Sequence, residues 1–218
     1  MKILVLSCDN NEDLWEPFHH CIEKYWPEHP EVIYSTETKA NPYYKTICVN
    51  YDIDSWSFRV KTCLKIIKDK QVLIMVDDIF IRDYVNNNKI NKLSIDFPIN
   101  AAAINLEKSF DKKDTYYSEL LKKRYNNGEY KTSVMCGLWD REKAINVFNI
   151  KLSPWEFEMN NHHCNYDYYI LNDYAFNWGH YRNGDIWAVY RGKWCKEVVP
   201  FFEKENIKVN YTKRGFCD

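Results

Sequence analysis

Apolar positions fall into two rhythms along this chain. Ile3-Leu4-Val5-Leu6, ending in Ser7, is a short continuous apolar run, the pattern of a strand covered on both faces. From Glu12 to Trp26 the period lengthens: Leu14, Phe18, Cys21, Ile22 and Tyr25 recur at helical spacing, and Pro27 and Pro30 stop the helix. Val32 to Ser35 and Thr46 to Val49 read as two further strands. Ser55 to Lys68 reads as an amphipathic helix, with Trp56, Val60, Cys63, Leu64 and Ile67 on one face and Ser55 near its cap. Val72 to Val76 is the most apolar run and leads straight into Asp77-Asp78. A helix is expected around Ile81 to Asn91 and another strand over Ala101 to Leu106. Strands alternating with helices predict an α/β layer with a mostly parallel sheet flanked by helices.

The second half is less regular. Asp111 to Asn127 is polar and charged, which suits a surface helix or a mobile loop. Apolar structure restarts over Thr132 to Leu138, and Arg141 to Asn149 reads as a helix. Beyond Pro154 the chain becomes aromatic without a clear period, through Tyr166, Tyr168, Tyr169, Tyr174 and Trp178. Ile186 to Tyr190 is expected as a late strand and Val198 to Glu205 as a short terminal helix. No linker, repeat or low-complexity run divides the 218 residues, so one domain is expected, with a change of role near residue 130.

Composition narrows the partners. With 30 basic and 31 acidic residues the net charge is −1, which speaks against a nucleic-acid binder. Seventeen Tyr and eight Trp offer flat rings on which sugars or bases stack. Eight cysteines include no CxxC pair, so neither a disulfide framework nor a zinc site is expected. Free thiols fit a reducing, cytoplasmic setting. The first apolar run is too short for a signal sequence, and no run approaches a membrane span. Asn210-Tyr211-Thr212 is a sequon by chance in that setting.

Open α/β sheets bind ligands beyond the carboxyl ends of their strands. Asp77 and Asp78 lie at such an end, where two carboxylates suit Mg²⁺ or Mn²⁺ bridging a diphosphate. The plain alternative is one Asp capping a helix and the other in solvent. No GxGxxG follows the first strand, which speaks against a Rossmann dinucleotide site, and no GxxxxGK[ST] occurs, so no P-loop is expected. The turn after the first strand, Ser7-Cys8-Asp9-Asn10-Asn11, lacks glycine, and Asp9 is placed to accept a hydrogen bond from a nucleobase or ribose. Arg191-Gly192-Lys193 sets a glycine between two cations, a diphosphate approach or a plain turn. Ser153-Pro154-Trp155-Glu156-Phe157-Glu158 holds two carboxylates, which point to one side if the stretch is extended and diverge if it opens a helix; the plain alternative is that one of them only caps that helix. His19-His20-Cys21 and His162-His163-Cys164 lack metal-ligand spacing, although His162 or His163 could reach an active site from its loop.

These pieces together resemble a known family. The opening ILVLSCDNNEDLWEPFHHCIEKYWPEHPEV, then the helix with Trp56 and Arg59, VLIMVDDIFI, CGLWDREKAINVF, SPWEFE and AVYRGKW are similar in order to bacterial GT-A-type glycosyltransferases of capsule and O-antigen synthesis. The resemblance covers all but residues 107–130. It implies a nucleotide-diphospho-sugar half over 1–106 and an acceptor half over 131–218. It makes Asp78, with Asp77 second, the metal- or diphosphate-proximal acid, although Val76-Asp77-Asp78 is not a clean Asp-x-Asp. Arg59 would reach a phosphate, Gly137 and Trp139 would shape the acceptor side together with Trp155, and Glu158, with Glu156 in reserve, would deprotonate the acceptor. The donor would be a UDP-sugar, and the acceptor a saccharide or lipid-linked oligosaccharide, with peripheral contact at the membrane face. The rivals are a non-catalytic sugar- or nucleotide-binding module of the same fold and a sugar-phosphate nucleotidyltransferase. The glycine-free first turn speaks against the second of these.

Overall fold

A computed structural model of the chain describes residues 1–125, 130–159, 166–175 and 188–217. The first half builds β1 (Lys2–Leu6), α1 (Trp15–Tyr25), β2 (Val32–Thr36), β3 (Lys45–Cys48), α2 (Trp56–Ile66), β4 (Gln71–Val76), α3 (Asn87–Ile95) and β5 (Ala101–Lys108). The remainder adds β6 (Thr115–Tyr116), β7 (Leu121–Lys123), β8 (Cys136–Asp140), α4 (Arg141–Val147), α5 (Pro154–Met159), β9 (Asp167–Leu171), β10 (Val189–Tyr190), β11 (Lys193–Trp194) and α6 (Val199–Glu205).

Nine strands form one sheet in the order β3-β2-β1-β4-β8-β5-β9-β7-β6. β7 and β8 run against the other seven, so the sheet is mostly parallel. The expected strands at the N-terminus, near 32, 46, 72 and 101, all lie in it. Alternation along each strand splits the core between the two faces. Ile3, Val5, Leu73 and Met75 pack with α1, α3 and α6 through Phe18, Ile22, Ile90 and Phe202. Leu4, Leu6, Val72 and Ile74 pack with α2, α4 and α5 through Trp56, Val60, Ala144 and Phe157. Both faces being covered explains why these strands read as unbroken apolar runs.

Sequence and structure part company in three places. The helix expected over 81–91 begins only at Asn87, because the Asn86 side chain accepts the Lys89 N–H at 3.0 Å and caps it there. Ile79, Phe80 and Ile81 ahead of it are buried as irregular chain. The polar stretch after 110 carries the β6–β7 hairpin, anchored by buried Leu121, instead of a helix or loop. β9, hidden in the aromatic region, pairs in parallel with β5. His162, His163 and residues 186–187 of the expected late strand lie outside the described residues. Among the described residues no helix is long and apolar enough to cross a membrane.

Candidate functional site

From β1 the chain moves outward to β2 and β3, then returns to place β4 on the other side of β1. This reversal opens a crevice at the carboxyl ends of β1 and β4. Leu6 pairs with Val76, so Ser7 and Asp77 meet across it. Ser7 Oγ donates to Asp77 Oδ2 at 2.5 Å and accepts Trp15 Nε1–H at 2.9 Å. Asn11 Nδ2 donates to Asp77 Oδ1 at 2.8 Å. Asp77 is almost wholly buried; that burial, and then the charge of Asp78, push its pKa up to about 7.

Asp78 is partly buried at the same edge. Burial pushes its pKa up to about 6, opposed by its own backbone N–H and by Arg214. Glu158 joins from α5. β8 runs antiparallel beside β4, so the residues entering it stand at the carboxyl end of β4, where Val76 N–H donates to the Met135 carbonyl at 3.3 Å. Val134 N–H in that segment donates to Glu158 Oε1 at 2.9 Å. Burial pushes Glu158 up to about 7, against the Val134 and Ser133 hydrogen bonds and with help from Glu107 and Asp78. Three carboxyl groups near neutral pKa thus share one edge of the sheet, the type of perturbation that marks functional sites.

Glu156 does different work. Ser153 N–H and Oγ donate to Glu156 Oε2 at 2.9 and 2.8 Å, and Glu156 N–H returns a bond to Ser153 Oγ at 3.4 Å. This reciprocal box starts α5 and holds the Glu156 pKa low. The two glutamates are therefore separated: Glu156 is spent on the helix cap, and Glu158 keeps a carboxyl near neutral pKa. Trp155, 70% exposed, lies three residues before Glu158 on the same helix, which puts both toward one side.

The sequence reading missed Arg214. Its Nε and Nη2 donate to the two Asp13 oxygens, each at 2.7 Å, and Nη2 also reaches Asn11 Oδ1 at 2.9 Å and the Asn10 carbonyl at 3.1 Å. Lys213 Nζ joins at Asp13 and the Asn10 carbonyl. Asn11 thus links the buried Asp77 to a cation from the far end of the chain. No spacing signal announces this pair, because only the tertiary fold brings residue 214 to residue 11.

Other expected site residues are built into the frame. Asp9 accepts from Thr38 N–H and Oγ1 and from Lys39 N–H, which lowers its pKa to about 2 against the opposing effect of burial. Arg59 is buried; it pairs with Glu37 and donates to the Ser7 carbonyl at 2.8 Å, buttressing the crevice from below. Gly137 and Trp139 sit inside β8. Trp139 is fully buried against Phe148 and Tyr168, which corrects the expectation of an exposed sugar-stacking face. A Cβ on Gly137 would come 2.9 Å from Trp139 Nε1, so this glycine serves core packing. Arg191 and Gly192, with φ of 51° and 78°, form the two-residue turn of the β10–β11 hairpin, with exposed Lys193 just beyond. His19 and His20 lie on α1, beside a 470 Å³ surface pocket away from the acidic edge.

A divalent ion suits hard oxygen donors of this kind. Among the described residues no three His, Cys, Asp or Glu side chains gather into a metal-binding group. Both Asp77 oxygens already accept hydrogen bonds, which leaves Asp78 as the carboxylate for a cation. The set fits an ion only where a ligand's phosphates complete its shell, an arrangement common for Mg²⁺.

The sequence matches no family model and no curated protein. Solved structures do match in shape. S. aureus TarS, residues 1–349, superposes on 81% of this chain and 59% of its own, with a TM-score of 0.51 and 12% identity. The same protein in complex with UDP-GlcNAc gives 81% and 57%, a TM-score of 0.52 and 12% identity. The mannosyltransferase PcManGT from Pyrobaculum calidifontis, in complex with GDP-Man and Mn²⁺, gives 83% and 57%, a TM-score of 0.49 and 10% identity. The chain spans somewhat less than three-fifths of the length of these proteins. The shared architecture is the GT-A-like α/β fold.

Proposed function

We propose that this chain transfers a sugar from a nucleotide-diphospho-sugar, a UDP-sugar, to a saccharide hydroxyl in surface polysaccharide synthesis. The observation that carries the reading is the Glu158 carboxyl, raised to about 7 and placed beside Asp78 at the carboxyl edge of the switch point. A base with a pKa near working pH holds an available proton site and accepts strongly, the best compromise for general-base catalysis. Glu158 takes the proton of the acceptor hydroxyl as its oxygen bonds to the sugar's anomeric carbon and the bond to the diphosphate breaks. Exposed Trp155 offers a ring face to the acceptor on the same side of α5. Arg214 and Lys213 bring positive charge to the edge where the diphosphate leaves. Asp78 would hold a Mg²⁺ or Mn²⁺ ion shared with that diphosphate, which when bound offsets the leaving-group charge. Asp9 and Arg59 act through the loops they fix around Thr38 and Ser7. The UDP-GlcNAc complex of the structurally similar TarS supports the choice of donor.

Hydrogen bonds on both Asp77 oxygens favour one rival, a module that binds a nucleotide-sugar without turning it over. Thermal-shift screening against UDP-, GDP-, CMP- and dTDP-sugars, with and without Mn²⁺, separates the cases. Ligand-dependent stabilisation is expected with UDP-sugars, because binding to the folded state alone raises the melting temperature. Release of UDP from the stabilising donor, in the presence of saccharide acceptors, is expected next. Stabilisation without any UDP release favours the binding module, and no stabilisation by any nucleotide-sugar overturns both.

A further inference from the structure

The C-terminal segment adds itself to the β10–β11 hairpin. Trp194 N–H donates to the Gly215 carbonyl at 3.0 Å, Cys217 N–H donates to the Trp194 carbonyl at 2.9 Å, and Trp194 forms a parallel bridge with Phe216. The residues that follow, Cys195 and Cys217, therefore stand side by side. Neighbouring strands lie about 5 Å apart, inside the span that a disulfide bridges. The side chains meet, with the two Sγ atoms 3.6 Å apart. Cys195 is buried, and Cys217 is partly open to solvent. Four and three residues before Cys217, Lys213 and Arg214 grip Asp13 and Asn10 beside the acidic edge.

We propose that Cys195 and Cys217 are a redox-active pair whose reversible disulfide fastens the C-terminal segment to the β10–β11 hairpin, and so holds Lys213 and Arg214 on the loop after β1. The oxidant is a low-molecular-weight disulfide such as glutathione disulfide. The Cys217 thiolate attacks one glutathione sulfur; that S–S bond breaks, a Cys217–glutathione mixed disulfide forms, and one glutathione thiolate leaves. Cys195 loses its proton to solvent and attacks the Cys217 sulfur, releasing the second glutathione thiolate. Two electrons pass from the protein dithiol to glutathione disulfide, which becomes two glutathione thiols. Excess glutathione runs the sequence backwards. The pair refines the expectation of free thiols throughout, because residues 22 apart in sequence meet without any CxxC spacing. It stands whether or not the chain transfers sugar.

The test holds the full folded chain in glutathione mixtures of graded ratio, blocks remaining thiols with N-ethylmaleimide and maps the peptides by mass spectrometry. A Cys195–Cys217 cross-link is expected to rise with the oxidised fraction and vanish with dithiothreitol. The cross-linked form should melt roughly 5–10 °C above the reduced one, as expected for closing a short loop. Cys217→Ser, and Cys217→Ala as a second variant, should lose both the cross-link and the shift. Full alkylation of both thiols at the most oxidising ratio overturns the proposal. So does a Cys217–glutathione adduct that never closes onto Cys195, or a cross-linked form that melts with the reduced one. The mapping on the unmutated chain decides even where a variant fails to fold.

Discussion

Two glutamates separated by one residue on α5 meet opposite fates, and the difference is chemical. Glu156 spends its carboxylate on the Ser153 N–H and hydroxyl, while Glu158 turns inward, where burial outweighs the Val134 and Ser133 hydrogen bonds and leaves it near neutral pKa. Glu158→Gln keeps the acceptor oxygen for Val134 and removes the basic site. We expect near-normal donor binding with transfer lowered ~10²–10⁴-fold, the usual worth of a general base. Glu156→Gln retains a side chain that completes the same cap, so transfer should stay within about twofold. A radiolabelled sugar-transfer assay beside donor-binding isotherms checks both, and equal rates for Glu158→Gln and the unmutated chain remove Glu158 from the chemistry. Asp78→Asn removes the carboxylate that Asp77 cannot replace, since both Asp77 oxygens are engaged. Calorimetry should show UDP-sugar affinity in Mn²⁺ falling by roughly 10–100-fold, the cost of losing a charged contact, while an unchanged affinity would place the donor elsewhere. Part of this is legible in the chain, namely a strand running into two acids and a pair of glutamates of which one could cap a helix; which of the two does so is not. Asp9 and Arg59 were legible as polar residues near the edge, but not as struts, because their partners Thr38 and Glu37 arrive from another loop.

At the scale of elements, β8 shows what close packing asks of a strand that runs against its neighbours. It is wedged between β4 and β5, and Gly137 faces both Ile74 and Asn105. A methyl group there would sit 2.9 Å from Trp139 Nε1 and 3.4 Å from the Ile104 carbonyl, and the fully buried indole has nowhere to go. Gly137→Ala should therefore destabilise the fold by about 1–3 kcal/mol, the usual cost of overpacking. Urea unfolding should show the midpoint falling with little change in slope. The same packing explains which elements the chain advertises. β1 and β4 are covered on both faces and read as strands at sight. β9 also sends residues to both faces, but they are Tyr168 and Tyr169, whose rings carry no strand period in an aromatic stretch. α3 starts late because Ile79, Phe80 and Ile81 bury three consecutive side chains, which a helix cannot turn to one face. The strands of the β6–β7 hairpin, two and three residues long, are too short to display any rhythm.

The whole molecule gathers Asp77, Asp78 and Glu158 from two distant stretches of chain, and that gathering has a thermodynamic consequence. Unfolded, these groups titrate near 3.8, 3.8 and 4.5; folded, near 7, 6 and 7. Between roughly pH 4 and pH 7 the folded chain therefore holds more protons than the unfolded one, and its stability falls as pH rises through that window. Asp9, Asp13 and Glu23 act with the opposite sign: their folded pKa values are depressed, so the stability they add is lost as pH falls below about 4. His19, held neutral by burial, also favours higher pH, but it is one group set against three. The melting temperature should thus peak in mildly acidic solution and decline from pH 5 to pH 8. Asp77→Asn should flatten the decline, by on the order of 2 kcal/mol across the window for a buried group of this shift. A divalent ion held at Asp78 must displace protons, so Mn²⁺ with a nucleotide should stabilise the chain more at pH 8 than at pH 5. Calorimetric scans of both proteins across this range, with and without Mn²⁺ and UDP, check each step. A melting temperature that climbs steadily from pH 5 to pH 8 would show that the three acids are charged and content in the folded state, and that the edge they share is solvated surface with no claim on the proton of an acceptor.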